Sequence, residues 1–359
     1  MEHYIGLDVS QAKTAICIVD GRGKVIIEGK SLTQPDCIYD WLIGIHIPLV
    51  SIVKVGLEAG AMSAWLCTEL AKKGLPIVCL EAWQAHEFLK AQRNKTDRND
   101  AKGLAQLVRM GGEFLREVSI KGYVSQEIRT FLTLRQQLVQ QKVGLENNLT
   151  GCLKPFGLIV KRKTDSAKVF RQRVLEALTK ADELGLKQLR EAMMPSLDLH
   201  KELCLQLDIL SRKVEAAANA HPVCRRLMTI PGVGPVISLS FVTAVDDPRR
   251  FVKDEDIGAY FGLTPKQFQS GETDHKDGIS KLGNMMTRQH LVQAATVMLT
   301  SSKEWSTLKS WGMNISKKRG FFKARIAVAR KLAIIMHRMW INDEDFRFST
   351  KAGGQKLAA

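Results

Sequence analysis

The possible folds of this chain are restricted chiefly by one feature, the order of strand-like and helix-like runs in about the first 80 residues. Three short runs rich in apolar and β-branched residues come first, and the turn signal Asp20-Gly-Arg-Gly23 separates the second from the third. Two helix-like runs then alternate with two more strands, which predicts a mixed α/β sheet. The predicted elements are strands Tyr4–Val9, Thr14–Val19 and Val25–Glu28, helix Asp36–Ile45, strand Ile52–Leu57, helix Ala64–Lys73 and strand Pro76–Leu80.

A long helical region follows the predicted sheet. Within Ser125–Leu149 the apolar side chains recur at helical spacing, at Ile128, Phe131, Leu134, Leu138, Leu145 and Leu149. A break over residues 151–163 precedes a second helical stretch that runs to about Ala220. Its apolar residues alternate in steps of four and three, at Leu203, Leu207, Leu210, Val214 and Ala217. This spacing fits either a helical hairpin within one chain or the seam of a coiled-coil dimer.

The amino-acid composition changes again near Arg225. Gly and Pro become frequent there, and a helical run rich in Lys and Arg closes the chain. We therefore expect three parts and a tail. They are an α/β domain at 1–115, a helical or coiled-coil connector at 116–221, a mainly helical domain at 222–348 and a frayed tail at 349–359.

The charge of the chain is concentrated in its later part. Residues 1–115 hold 13 basic and 13 acidic side chains, so the whole net charge of +16 falls on residues 116–359. This asymmetry favours a neutral domain joined to a domain that binds a polyanion. Nucleic acid is favoured over a membrane surface as that polyanion. A general solubility surface is the simpler alternative.

Several other classes of protein are disfavoured. Glu2, His3 and Asp8 interrupt the start of the chain, which argues against a signal peptide. We find no apolar run long enough to cross a membrane. The seven cysteines are scattered without a CxxC pair, so we expect buried thiols in a reducing cytoplasm rather than disulfides or a zinc site.

Four carboxylates come from three separate segments of the α/β part. Asp8 ends the first predicted strand and Glu58 follows the strand Ile52–Leu57. If these strands are neighbours, as in a ribonuclease-H-like sheet, the two carboxylates converge. Asp97 and Asp100 are spaced i, i+3 and share one helix face. Together the four predict a site for one or two Mg²⁺ ions, with Lys95 and Arg98 near a bound phosphate.

Three of the four carboxylates also have a structural interpretation, which stays open at this point. Asp8 could begin a turn, Glu58 could cap the next helix, and Asp97 could be a helix N-cap.

Two motifs stand out in the last third of the chain. Thr229-Ile-Pro-Gly-Val-Gly-Pro235 before an apolar helix is typical of a helix-hairpin-helix, in which Gly232 and Gly234 let the backbone meet phosphate oxygens. A tight turn between two helices is the alternative. Further on, Gly278-Ile-Ser-Lys-Leu-Gly-Asn284 places Ser280 beside Lys281 and ahead of a helix that carries Arg288. Such a serine can attack phosphorus, although its spacing alone also fits an N-cap.

An ordered set of short motifs resembles one family, the DEDD-type insertion-sequence transposases. These are bridge-RNA-guided serine recombinases and are similar to the pilin-gene invertases. The matching pieces are Gly-Leu-Asp-Val-Ser at 6–10, Leu-Glu-Ala-Gly at 57–60, Lys-Thr-Asp-Arg-Asn-Asp-Ala at 95–101, Ile-Pro-Gly-Val-Gly at 230–234, Gly-Leu-Thr-Pro at 262–265, Ser-Gly at 270–271 and Ile-Ser-Lys-Leu-Gly-Asn at 279–284.

The resemblance implies more than the residues alone do. It implies a RuvC-like N-terminal domain, a coiled-coil connector and a helical C-terminal transposase domain. It makes Asp8, Glu58, Asp97 and Asp100 the Mg²⁺ ligands and Ser280 the nucleophile that forms a phosphoserine link to DNA. It also implies that a structured guide RNA pairs with donor and target DNA while the protein contacts backbones, Gly232, Gly234, Lys281 and Arg288 among its contacts.

The resemblance further implies a homodimer or homotetramer, in which the acidic cluster of one subunit meets the serine of another. The expected setting is the bacterial cytoplasm, in association with the nucleoid. Two other functions stay open at this point. The first is a structure-specific DNA nuclease that uses the carboxylates for metal-dependent hydrolysis, and the second is a non-catalytic nucleic-acid-binding protein.

Overall fold

The computed structural model describes residues 1–92, 94–161, 166–270 and 273–348, and the chain divides into two units after Lys121. Gly271 of the Ser-Gly motif and the predicted tail at 349–359 lie outside the described residues. The finer division of the helical part at residue 221 stays a prediction. Within the described part, no helix is both long and apolar enough to cross a bilayer.

The first unit is built on the predicted succession of strands and helices. Its elements are β1 (His3–Val9), β2 (Lys13–Asp20), β3 (Val25–Leu32), α1 (Pro35–Gly44), β4 (Ile52–Glu58), α2 (Ser63–Lys72), β5 (Ile77–Leu80), α3 (Ala82–Lys90) and α4 (Asp97–Met110). The predicted turn after β2 is also present. There Asp20 Oδ1 accepts the N–H groups of Arg22 and Lys24, both at 2.9 Å, and Gly23 takes a φ of +84° that suits glycine.

One five-stranded sheet has the order β3-β2-β1-β4-β5. The pairs β1–β2 and β2–β3 are antiparallel, whereas β1–β4 and β4–β5 are parallel. The prediction of a mixed sheet is therefore confirmed. Strands β1 and β4 are direct neighbours, which is the condition under which Asp8 and Glu58 converge.

Both faces of this sheet are covered by helices. Successive residues of a strand point to opposite faces, and β2 is apolar on both. Ile16 and Ile18 share one core with the helical residues Ile38 and Leu66, while Cys17 lies in the core on the other face. Helix α4 closes that second face and contributes Ala101 and Ala105 to the core with Cys17. Because α4 carries Asp97 and Asp100, this packing also positions half of the predicted acidic cluster.

The second unit is mainly helical. Its elements are α5 (Tyr123–Leu153), α6 (Ala167–Glu183), α7 (Lys187–Ala220), α8 (Pro222–Leu227), α9 (Pro235–Val245), α10 (Asp256–Tyr260), β6 (Pro265–Ser270), β7 (Thr273–Ile279), α11 (Met285–Thr300), α12 (Thr307–Arg319) and α13 (Phe321–Asn342). The antiparallel hairpin of β6 and β7 is absent from the sequence-based expectation, which places only turns and helices here.

Helices α5 and α7 pack against each other within one chain. Leu132 of α5 and Val214 of α7 belong to the same buried core. Further along the pair, the buried Glu146 side chain lies 3.1 Å from His200 Nε2. This arrangement is the helical hairpin that the spacing allowed. The dimer seam stays a prediction, and the coiled-coil description of this region is not supported.

Candidate active-site residues

Asp8 and Glu58 lie next to each other in the sheet. Leu7 of β1 is in register with Leu57 of β4, and the two strands run in the same direction. Asp8 and Glu58 therefore follow paired residues at the carboxyl edge of two neighbouring parallel strands. Met62 is the N-cap of α2, so Glu58 does not cap that helix as the structural interpretation suggested. Asp8 lies within β1 and starts no turn.

Helix α4 brings Asp100 to the same region, because α4 packs closely on β1. A Cβ on Gly6 would lie 2.1 Å from the Ala101 carbonyl oxygen and 2.3 Å from the Ala105 nitrogen, so only glycine allows this approach. Asp100 is buried on the sheet side of α4, whereas Asp97 at its first turn is exposed. The N-cap is Thr96, whose hydroxyl accepts the Asn99 N–H at 3.2 Å, so the N-cap interpretation of Asp97 is wrong.

The acidic residues perturb one another's ionisation. Burial, followed by the charges of Asp100, Asp97 and Glu58, raises the pKa of the Asp8 carboxyl to about 6. Burial and the Asp100 charge also raise the pKa of Glu58, while the nearby His86 and Lys95 oppose the shift. A group of carboxylates whose repulsion is only partly offset is what a divalent cation would neutralise.

Asp97 is paired with a lysine. Its Oδ2 accepts a hydrogen bond from Lys30 Nζ at 2.9 Å, and this contact lowers the pKa of Asp97. Over the described ranges, no three His, Cys, Asp or Glu side chains are close enough to hold a metal ion. The chemistry of the four carboxylates fits Mg²⁺, but they would have to come closer together to hold a common ion, and Asp97 would also have to leave Lys30.

The two predicted phosphate contacts near α4 differ in their surroundings. Lys95 is exposed, and its charge acts on both Asp8 and Glu58. Arg98 is already engaged, since its Nε donates to Glu28 Oε2 at 2.6 Å. A phosphate would therefore meet Lys95 more directly than Arg98.

Ser280 directly follows β7 and lies beside the Gly262–Pro265 segment. Its backbone N–H donates to the Thr264 carbonyl at 2.8 Å. Its hydroxyl oxygen is buried and has no hydrogen-bond partner among the described residues. The N-cap of α11 is Asn284, whose side chain accepts the Thr287 N–H at 2.8 Å, so Ser280 is not the cap that its spacing also suggested.

The loop after Ser280 is held in an uncommon backbone conformation. Lys281 has a φ of +59°, which a residue with a Cβ rarely adopts, and its N–H bonds the Gly262 carbonyl at 3.2 Å. Gly283 has a φ of +71°, and a Cβ there would lie 2.0 Å from the Tyr260 carbonyl oxygen. Such strain persists only where the surroundings enforce it, and it is common at functional sites.

Arg288 is not available for DNA as predicted. The side chain is buried, and its Nη1 donates to the carbonyl oxygens of Leu282 at 2.7 Å and Phe261 at 3.2 Å. The guanidinium thus ties the loop of Ser280 to the end of α10. This contact joins residues far apart in sequence, and no local pattern indicates it. The phosphate role predicted for Arg288 is replaced by this internal one.

The predicted helix-hairpin-helix consists of α8, a short turn and α9. Gly232 in this turn has a φ of +89°, and a Cβ there would lie 2.8 Å from the Ala294 carbonyl of α11, so packing alone requires glycine. Gly234 is the N-cap of α9, and a Cβ there would meet open space. A phosphate contact is therefore easier to place at Gly234 than at Gly232.

Comparisons with known proteins match both units. One family model, of the DEDD type described as "Transposase" in the IS110 group, matches residues 5–157, and another, the "Transposase IS116/IS110/IS902 family", matches residues 224–310. Asp8, Glu58, Asp97 and Asp100 fall in the first matched segment and Ser280 in the second.

Curated relatives agree with these family models. The transposase for insertion sequence element IS1111A of Coxiella burnetii is 28% identical over 96% of this chain and 91% of the relative. A probable family 20 transposase of Pseudomonas aeruginosa is 23% identical over 82% of this chain and 85% of its own. Among solved structures, Thermus thermophilus RuvC with a Holliday junction substrate is 12% identical, covers 33% of this chain and all of its own, and has a TM-score of 0.25.

Proposed function

We propose that this chain is a DEDD transposase of the IS110/IS116 type, and that it breaks and rejoins DNA strands through the Ser280 hydroxyl, assisted by Mg²⁺-binding carboxylates. The observation that carries the proposal is that Asp8 and Glu58 lie at the carboxyl ends of two neighbouring parallel strands, while α4 packs on β1 and carries Asp100. The charges of Asp100, Asp97 and Glu58 add to burial in raising the pKa of Asp8. Acidic side chains whose charges act on one another in this way are typical of a cation or proton site.

The carboxylates would hold the metal ion. Asp8, Glu58 and Asp100 are the proposed inner group, and Asp97 would join them after leaving Lys30. The chemistry that Mg²⁺ supplies when bound is Lewis-acid activation of a phosphate. Without the ion, burial and the neighbouring carboxylates raise the pKa of Asp8 to about 6, and a bound cation would keep this carboxylate ionised as a ligand.

Ser280 is the proposed nucleophile. In the first step its Oγ forms a bond to phosphorus while the bond from phosphorus to the leaving strand's oxygen breaks. The serine proton passes to a base, and the leaving oxygen takes up a proton. Attack by a strand hydroxyl on the phosphoserine reverses these changes, so the energy of the phosphodiester is conserved. The buried hydroxyl without a described partner and the strained Lys281 support this role.

The finer features of the family resemblance are part of the proposal. We infer that donor and target DNA and a structured guide RNA are the partners, and that the working form is a homodimer or homotetramer. The charge of +16 on residues 116–359 supports binding of polyanions by the second unit. In such an assembly the acidic cluster of one subunit would act with Ser280 of another.

Covalent trapping tests the proposed chemistry. Full-length protein is incubated with Mg²⁺, DNA from the ends of its element and RNA transcribed from the flanking sequence, and is then denatured in SDS. We expect a protein–DNA adduct that is lost in Ser280→Ala and kept in the control Ser301→Ala, which changes an exposed serine at the end of α11. Strand cleavage by Ser280→Ala without an adduct would favour the hydrolytic nuclease.

A further inference from the structure

A stretch near the end of the chain contains only one sign of charge. Residues 305–342, which form α12 and α13, hold nine Lys and Arg side chains and no Asp or Glu. This stretch therefore contributes +9 to a protein whose total is +16. The segments that match the family models end at residue 310, so nearly all of it lies beyond them.

The densest part of this stretch is the turn between the two helices, residues 317–323, which we call the basic turn. Lys317, Lys318, Arg319 and Lys323 are all exposed. None of these four makes an ion pair with any described residue. Arg338, further along α13, is by contrast paired with Asp254 at 2.5 Å. The cations of the basic turn are thus left free to meet an external anion.

Two adjacent phenylalanines in the basic turn have opposite environments. Phe321 packs against the main core of the second unit. Phe322 is 71% exposed. A single exposed apolar ring is common on protein surfaces, so the cations around Phe322 rather than its exposure alone set it apart. An exposed aromatic ring among cations is typical of sites that stack the bases of a single strand.

The Phe322 ring also contacts a cation of its own helix. The Arg325 guanidinium lies over one face of its ring at 4.6 Å, and Arg325 Nε is buried without a described hydrogen-bond partner. One face of the ring is therefore covered by a cation, while the ring as a whole remains largely in solvent. This arrangement makes a fixed platform on which a further planar group can stack.

The opposite side of α13 favours nucleic acid over a membrane as the partner. Val328, Leu332 and Met336 are fully buried in the core, so the helix has no free apolar face to insert into lipid. Alternation of cations with a single ring fits phosphates and bases better than acyl chains.

We propose that the basic turn binds an unpaired DNA strand, with a base stacked on Phe322 and phosphates placed at Lys317, Lys318 and Arg319. The choice of DNA as the polyanion rests on the proposed function, since strand exchange exposes unpaired ends. The charge and stacking arguments hold without it.

The test is a binding measurement on the full-length protein in EDTA, so it does not depend on catalysis. Fluorescence anisotropy follows a labelled oligothymidine strand, a duplex of equal length and an oligouridine strand. Phe322→Ala is compared with Phe114→Ala, because both rings are 71% exposed and Phe114 lies in the neutral first unit. A triple variant, Lys317→Gln with Lys318→Gln and Arg319→Gln, tests the charges.

We expect Phe322→Ala to bind the DNA strand at least about fivefold more weakly, with an unchanged salt dependence and duplex affinity. Phe322→Trp should restore binding, and Phe114→Ala should match the wild type. The triple variant should lower the slope of log affinity against log salt by about two, as loss of three phosphate contacts on a single strand predicts.

Three results would overturn the proposal: equal strand binding by Phe322→Ala and wild type, a Phe322-dependent preference for duplex, or a Phe322-dependent preference for the RNA strand. Equal melting temperatures for the variants show that a loss of binding is local. If adducts at Ser280 fail to form while Phe322-dependent binding persists, the function proposed for Ser280 fails and the strand-binding surface stands.

Discussion

At the scale of single residues, side chains of the same type have different properties because their surroundings differ. Asp8 and Asp97 are both aspartates of the predicted cluster, yet burial and like charges raise the pKa of the first and Lys30 lowers the pKa of the second. Arg288 and Lys281 are both cations near Ser280, but only Lys281 is exposed. Residue type alone predicts the candidates, and contacts decide what each one can do.

Asp8→Asn should stabilise the metal-free protein near neutral pH. Because the pKa of Asp8 is raised to about 6, the folded state binds its proton more tightly than the unfolded chain, whose value is near 4. The cost of ionising Asp8 is therefore absent below about pH 4 and complete above about pH 6. We expect a melting temperature in EDTA higher than that of the wild type at pH 7.5 and equal to it at pH 4.

The same pair of proteins tests the metal. Mg²⁺ should raise the melting temperature of the wild type and much less that of Asp8→Asn, since binding to the folded state stabilises it. Glu113→Gln, an exposed carboxylate elsewhere in the first unit, serves as the control and should respond like the wild type. An equal response of Asp8→Asn to Mg²⁺ would remove Asp8 from the metal site.

Gly283→Ala should abolish adduct formation at Ser280, although the two residues are three positions apart. The φ of +71° and the 2.0 Å approach of the added Cβ to the Tyr260 carbonyl force the loop to move. We expect a loss of stability of more than about 1 kcal/mol in thermal melts and loss of the covalent adduct. Gly151→Ala, in a helix where the added Cβ meets nothing, should keep the adduct. A Gly283→Ala protein with wild-type adduct formation would show that the loop geometry is dispensable.

At the scale of elements, the acidic cluster depends on how closely a helix approaches a strand. Asp8 belongs to β1 and Asp100 to α4, and these two elements touch where Gly6 faces Ala101 and Ala105. Packing also positions Ser280 in the second unit. The antiparallel strands β6 and β7 bring Ser280 back beside Thr264, whose carbonyl accepts the Ser280 N–H. In both units, then, packing of elements rather than local sequence places the functional group.

Gly6→Ala should separate α4 from the sheet. The added Cβ would meet backbone atoms at 2.1 and 2.3 Å, which cannot rotate away, so we expect a loss of about 1–3 kcal/mol in denaturant unfolding. Displacement of Asp100 should also abolish stabilisation by Mg²⁺. Gly21→Ala, whose Cβ comes no closer than 3.7 Å to Glu2, should have little effect on either measurement. Retained Mg²⁺ stabilisation in Gly6→Ala would mean that Asp100 is not a ligand.

At the scale of the whole molecule, the chemistry is divided between the two units. The carboxylates lie in the unit of residues 1–121 and the serine in the unit that starts at Gly122. The charge follows a similar division, because the first 115 residues are neutral and the remainder carries +16. Under the proposed function, one unit would provide acidic groups for a metal, and the other would provide the nucleophile and the positive charge that binds a polyanion.

Mixing two inactive variants tests whether a complete site is assembled from two subunits. If the acidic cluster of one subunit acts with Ser280 of another, Asp8→Asn and Ser280→Ala chains together form one intact site in a mixed dimer. We expect each variant alone to lack adduct and the refolded mixture to regain a substantial fraction, with all adduct on the Asp8→Asn chain. An inactive mixture, with mixed dimers demonstrated by differently tagged chains, would place each site within a single chain.

Elements with local signals could be predicted from the order of amino acids. Alternating apolar residues and turn signals predicted β1 to β5, helical spacing predicted α5, and short motifs singled out Asp8, Glu58 and Ser280. The tertiary structure decided what depends on distant groups: the pairing of Asp97 with Lys30, the burial of Arg288 under two carbonyls and the cap at Asn284 in place of Ser280. Periodicity reports which face of an element is apolar, whereas a hydrogen bond between residues far apart forms only once the elements have packed.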